Sequence, residues 1–250
     1  MIIAVIGKGG VGKTTVTALL LRSLVDCQQT PVLAVDADPS ACLGATLGIG
    51  VDKTLGELRD KVRIDSERPE GMAKVDWLGV LAEDAISEQQ GFDLLTMGHP
   101  EGPGCYCFVN NLLRDHLQRL ARAYRHVLVD CEAGQEHLSR RTAQAPDLLV
   151  CVMSRSRMAA DTIRRSLLLF DGLHGRLPQR LDLVLNGFDQ DALEEELVHA
   201  ATGGSFRFAH TWRVPHDPAV SACDASGRSL FDLASDAPAL VALAPWAKSL

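Results

Sequence analysis

At 250 residues the chain is long enough for one α/β domain and leaves little room for another, so 1–250 is read as a single domain. A net charge of −7 argues against generic nucleic-acid binding, which needs a basic face to displace counterions. No apolar run approaches the roughly 20 residues that cross a bilayer, so no membrane partner is expected.

In chain order, the first apolar run is Ile2–Ile6. It lacks the basic leader of a signal peptide and reads as a strand, which makes the expected location cytoplasmic. The seven cysteines would then stay reduced. Gly7-Lys8-Gly9-Gly10-Val11-Gly12-Lys13-Thr14 follows at once and matches the phosphate-binding pattern G-x-x-x-x-G-K-[ST] between a strand and the helix Lys13–Val25. Its glycines let Gly9, Gly10, Val11 and Gly12 turn backbone N–H groups toward phosphate oxygens, and the helix N-terminus adds partial positive charge. Lys13 should reach the β- and γ-phosphates, Thr14 offers a hydroxyl to Mg²⁺, and Thr15 lies near the α-phosphate.

A second strand, Val32–Val35, leads into Asp36-Ala37-Asp38-Pro39. Taken alone, Asp-x-Asp-Pro is also a common turn or helix cap. Trp77–Leu81 and Leu94–Met97 read as further strands, and the charged stretch Arg59–Lys74, with Pro69 and Gly71, as an irregular insertion. Gly102-Pro103-Gly104-Cys105-Tyr106-Cys107 is a loop in which alternate side chains share one side, so both thiolates could meet one metal. Two sulfurs do not complete a tetrahedral or square-planar shell, but two copies of the pair across a dimer axis would. Two packed or idle thiols are the plain alternative.

Val109–Arg122 reads as a helix, and Val127–Val129 as a strand ending in Asp130, the pattern of a Walker B carboxylate. Helix Glu136–Gln144, strand Leu148–Met153, helix Met158–Gly172, strand Leu181–Leu185 and helix Asp191–Ala200 complete the alternation. A mostly parallel, doubly wound α/β sheet flanked by helices follows from it. Asn186 ends a strand and Val214-Pro215-His216-Asp217 follows a later one. Asn186-Gly187-Phe188-Asp189 has the Asn and Asp spacing of a guanine-reading N-K-x-D motif without its lysine, which favours ATP and keeps GTP as the alternative.

With Lys8 inside it, the loop GKGGVGKT resembles the deviant, two-lysine Walker A of the MinD/ParA/nitrogenase-iron-protein class of P-loop NTPases. The resemblance implies an ATPase that works as a homodimer, with Lys8 reaching across to the partner's nucleotide to stabilise transition-state charge. It implies that Asp36 and Asp130 hold the Mg²⁺ hydration shell and that Asp38 orients or deprotonates the attacking water. Gly134 would sense the γ-phosphate through its N–H, and Asn186, Pro215 and Asp217 would frame adenine.

Within the class, Gly102–Leu113 (GPGCYCFVNNLL) and Asp130–Thr142 (DCEAGQEHLSRRT) resemble the CooC family of nickel-insertion ATPases for carbon monoxide dehydrogenase. That resemblance covers most of the first 150 residues. It implies that Cys105 and Cys107 bind one Ni²⁺ or Zn²⁺ between two subunits. It also implies that the client is an apo carbon monoxide dehydrogenase, or a related nickel enzyme such as acetyl-CoA synthase.

Two other readings compete. A nitrogenase-like iron–sulfur electron donor would need a second cluster cysteine in the segment Asp130–Gln135, where Ala133 stands at the matching place with Cys131 two residues early. A MinD- or ParA-like switch without metal would need a basic amphipathic tail or a basic patch. The tail Ala237–Leu250 instead holds Pro238, Pro245 and one lysine.

Overall fold

The computed structural model describes residues 1–58, 68–98, 121–131, 146–174, 178–188 and 193–250. In chain order the elements begin β1 (Ile2–Gly7), α1 (Lys13–Asp26), β2 (Val32–Asp36), α2 (Cys42–Thr46), α3 (Lys74–Asp84), β3 (Ile86–Glu88), β4 (Phe92–Thr96) and β5 (His126–Asp130). They continue with β6 (Leu148–Met153), α4 (Arg157–His174), β7 (Arg180–Asn186), α5 (Glu194–Thr202), β8 (His210–Val214), α6 (Pro218–Ser226), a 3₁₀ turn (Leu230–Asp232) and α7 (Pro238–Lys248).

The eight strands form one sheet in the order β3-β4-β2-β5-β1-β6-β7-β8. Every pairing is parallel except β3 with β4. The protein is a doubly wound α/β fold. β5, β6 and all of β1 after Ile2 are buried on both faces, as central parallel strands between helix layers must be. From β1 the chain winds outward to β2 on one side, and from β6 through β7 to β8 on the other. The order therefore reverses around β1, and the crevice at its carboxyl end is where such sheets bind ligands.

One expected strand is a helix. Trp77–Leu81 lies inside α3, where Trp77, Leu81 and Ala85 turn inward at i, i+4 and i+8 while Val80 is 53% exposed. A five-residue apolar run does not reveal its own period, and here the flanking residues extend it at helical spacing. The short β3 that follows was not expected from sequence. It is an edge hairpin partner of β4, with Gln89 N–H donating to Phe92 O at 3.0 Å. The expected helices 109–122 and 136–144 fall in or almost wholly in segments outside the described residues.

The two-proline tail is helical. Pro238 sits in the first turn of α7, where no N–H bond is lost, and Pro245 is tolerated within it. Leu240, Leu243 and Trp246 bury the inner face of α7 against α1 and β8, and Trp246 stacks on Trp212 with ring centroids 5.8 Å apart. Asp182 on β7 is fully buried. Arg180 Nε and a terminal guanidinium nitrogen donate to it at 2.9 and 2.6 Å, which neutralises it beside β8. No helix among the described residues is long and apolar enough to cross a membrane.

Candidate nucleotide site

The phosphate loop is a turn that only glycine can complete at two places. A Cβ on Gly7 would lie 2.5 Å from the carbonyl oxygen of Val152 on the neighbouring strand. Gly12 has φ +87° and precedes the first residue of α1; a Cβ there would lie 2.3 Å from Asn186 Nδ2. That amide donates to Val11 O at 2.9 Å and so ties the loop to the end of β7. Val16 N–H donates to Gly12 O at 2.9 Å, starting the helix just behind the loop. Gly9 and Gly10 are exposed, Lys8 is half-buried, and Lys13 is buried at 8% exposure.

Beside the loop, two carboxylates stand at the same level of adjacent strands. Asp36 on β2 pairs in register with Asp130 on β5, so both side chains share the sheet face covered by α1. Thr14 Oγ1 donates to Asp130 Oδ2 at 2.6 Å. Asp36 accepts the N–H groups of Asp38 at 3.2 Å and Leu43 at 2.9 Å, which folds the segment from Asp36 to Leu43 around it. Burial pushes both carboxyls up to about 6. For Asp36 the backbone N–H of Leu43 partly opposes this. For Asp130 the Thr14 hydroxyl opposes it, and Asp36 and Lys13 act in opposite directions.

Hard oxygen donors that are costly to ionise without a cation suit Mg²⁺, so Thr14, Asp36 and Asp130 fit that ion. Asp38 is half-buried, and its Oδ1 accepts Ser40 N–H at 2.8 Å in the turn that Pro39 continues. Cys42 is exposed nearby, and partial desolvation and the charges of Asp36, Asp38 and Asp130 raise its thiol pKa above the usual value.

A cleft of about 210 Å³ opens next to the loop, lined by Thr15, Asn186, Gly187, Pro215, His216 and Asp217 among others. The β7–β8 register makes it, because Asn186 pairs with Val214 and so places Pro215 alongside. Asn186 uses Nδ2 on Val11, which leaves its carbonyl oxygen as an acceptor; adenine offers an amino donor where guanine offers a carbonyl. Asp217 lines the cleft, but both its oxygens are engaged by backbone: Oδ1 caps α6 through Ala219 N–H at 2.9 Å, and Oδ2 accepts Ala239 N–H of α7 at 3.1 Å. Its contribution to the cleft is to hold the wall together.

Cys105, Cys107 and Gly134 lie outside the described residues, as do His99, His137 and Asp189. Among the described residues, no group of three or more His, Cys, Asp and Glu side chains could hold a metal ion. Sequence reasoning missed Thr17, whose buried hydroxyl lies 3.3 Å from Asp130 Oδ1. A threonine one helical turn after Thr14, on the face toward the Walker B strand, was the available signal.

Fold and site together define a P-loop nucleotide-binding protein. A family model described as the CobQ/CobB/MinD/ParA nucleotide binding domain matches residues 2–230, and the chain belongs to that family of ATPases. Among its relatives, an uncharacterised ATP-binding protein of Methanocaldococcus jannaschii is 46% identical over 168 residues, which is 66% of this chain and 66% of that relative's length. The carbon monoxide dehydrogenase accessory protein CooC of Rhodospirillum rubrum is 32% identical over 253 residues, covering 93% of this chain and 90% of the relative. The septum site-determining protein MinD of Pyrococcus horikoshii, solved with Mg-ADP, superposes with a TM-score of 0.69 at 20% identity, covering 99% of this chain and 94% of that one. At that identity the likeness concerns the fold.

Proposed function

We propose that the chain is an ATP-dependent, homodimeric metallochaperone of the CooC kind, hydrolysing ATP to ADP and phosphate and assisting nickel insertion into carbon monoxide dehydrogenase or a related nickel enzyme. The observation that carries this reading is the match to CooC over nearly the whole of both chains, joined to a Cys105-Tyr106-Cys107 segment whose thiolates suit a soft divalent metal.

The chain's own groups account for nucleotide handling. Loop N–H groups and Lys13 bind the β- and γ-phosphates, and Thr15 lies over the α-phosphate. Asn186 and Pro215 frame the base, with Asp217 behind them. Thr14, Asp36 and Asp130 would hold Mg²⁺, which would supply positive charge to neutralise the phosphates. Asp38 turns from its Ser40 contact to orient the attacking water, and Gly134 N–H senses the γ-phosphate. Lys8 extends to the second subunit's nucleotide, which makes hydrolysis depend on dimerisation. In the ATP-bound dimer the two Cys105/Cys107 pairs supply four thiolates to one Ni²⁺ or Zn²⁺. Metal affinity and dimerisation then strengthen each other by the same factor, and hydrolysis makes release directional.

The test is metal content by elemental analysis with dimer mass by light scattering. Wild type and the Cys105→Ala/Cys107→Ala double variant are compared, each with ADP and with a non-hydrolysable ATP analogue. About one Ni²⁺ or Zn²⁺ per wild-type dimer, lost in the double variant, is the expected result. Metal-free protein that still forms dimers with the ATP analogue in both forms would leave a plain nucleotide switch of the MinD/ParA kind. Iron with a brown colour in anaerobically purified protein would point to an iron–sulfur electron donor.

A further inference from the structure

Two hydroxyls of α1 face the Asp130 carboxylate, and only one belongs to the phosphate-loop motif. Thr14 Oγ1 donates to Oδ2 at 2.6 Å, and Thr17 Oγ1 lies 3.3 Å from Oδ1. Three residues apart, the two side chains project from one helix face toward one acceptor. Thr17 is fully buried, so its hydroxyl has no water to turn to. It also lies 2.9 Å from Lys13 O, the usual back-bond of a helical threonine. A hydroxyl carries a single proton, and an ionised carboxylate is a stronger acceptor than a peptide carbonyl. Among the described residues these two threonines are the only hydrogen-bond donors to the Asp130 side chain.

We propose that Thr17 is a positioning residue for Asp130: by holding Oδ1 it sets the rotation of the carboxylate, so that Oδ2 faces Thr14 and the divalent cation that accompanies the nucleotide. Without Thr17 the carboxylate is tethered by one oxygen and turns about its χ2 torsion. The orientation lost is needed for the cation and not for the phosphates, which the loop and Lys13 hold independently. The inference rests on the Mg-nucleotide reading of the site and not on the nickel reading.

The test is Mg²⁺-dependent ADP binding by isothermal titration for wild type, Thr17→Val and Thr17→Ser, each repeated in EDTA, with thermal melts to check folding. Valine keeps the branched shape without the proton donor, and serine keeps the donor without the methyl group. In Thr17→Val the Mg²⁺ concentration for half-maximal tightening of ADP rises about tenfold while ADP affinity in EDTA stays within about twofold, and Thr17→Ser stays close to wild type. An unchanged Mg²⁺ dependence in Thr17→Val reduces Thr17 to a helix back-bond and overturns the proposal. Equal losses with and without Mg²⁺, or a serine variant that behaves like valine, assign the effect to packing and overturn it too. Wild type that binds no ADP in either condition overturns the nucleotide reading itself, an outcome distinct from all of these.

Discussion

The chemistry of the site turns on two buried carboxylates at one level of the sheet. Asp36 and Asp130 both have pKa values pushed up to about 6 from an ordinary value of 3.8, because burial penalises the charge. A carboxyl raised in the folded state contributes stability that is complete below about 3.8 and is lost as pH rises through about 6. The Mg²⁺-free protein is therefore less stable at pH 7.5 than these two groups would leave it at pH 5. A cation that binds the ionised pair reverses the penalty where the pair is ionised. The extra melting-temperature gain from Mg-ADP over ADP alone should be larger at pH 7.5 than at pH 5.0, as followed by scanning fluorimetry. A gain equal at both values would show that Mg²⁺ does not engage these carboxylates.

Asp217 acts between elements. One carboxylate caps the N-termini of α6 and α7, and α7 in turn packs on α1, the helix that carries the phosphate loop. Helix N-termini favour a negative charge, and the freed N–H groups of Ala219 and Ala239 would lose their partner on truncation. Asp217→Ala should lower unfolding stability by about 2 kcal/mol. Asp217→Asn, which keeps one acceptor oxygen, should cost about half as much; urea titration with the Trp212–Trp246 stack as fluorescence reporter measures both. The same capping explains why the tail stays folded on α1 despite two prolines. Its Leu240, Leu243 and Trp246 are committed to the interior.

For the whole molecule, the proposed reading makes nucleotide binding a property of one chain and hydrolysis a property of two. Lys8 is half-buried at the rim of the loop while Lys13 is buried at its base, so the two lysines occupy different environments. Lys8→Ala should leave ADP affinity within about twofold, because no loop N–H or Lys13 contact changes. It should abolish dimer formation with a non-hydrolysable ATP analogue and lower the hydrolysis rate by about 10³-fold, the scale of an arginine-finger loss. Light scattering and a phosphate-release assay read the two effects separately. Monomeric, fully active wild type would sink the dimer reading.

The α/β class was legible from sequence alone, because strands buried on both faces read as near-continuous apolar runs: Leu148–Met153 and Val127–Val129 hold no polar residue. The octapeptide Gly7–Thr14 was legible because its glycines and lysine are contiguous and need only local geometry. What depends on residues outside the segment itself was not. Trp77–Leu81 took its helical period from neighbours, and the 3₁₀ turn and α6 were not foreseen. Asn186 reaching back to Val11, Asp217 holding two helices, and Thr17 meeting Asp130 depend on strand register and helix docking. A motif records which groups a loop presents. Only tertiary structure decides which of them are already engaged by backbone and which remain free for a ligand, because that depends on hydrogen-bond partners brought in from other elements, 22 residues away along the chain for Asp217 and 175 for Asn186.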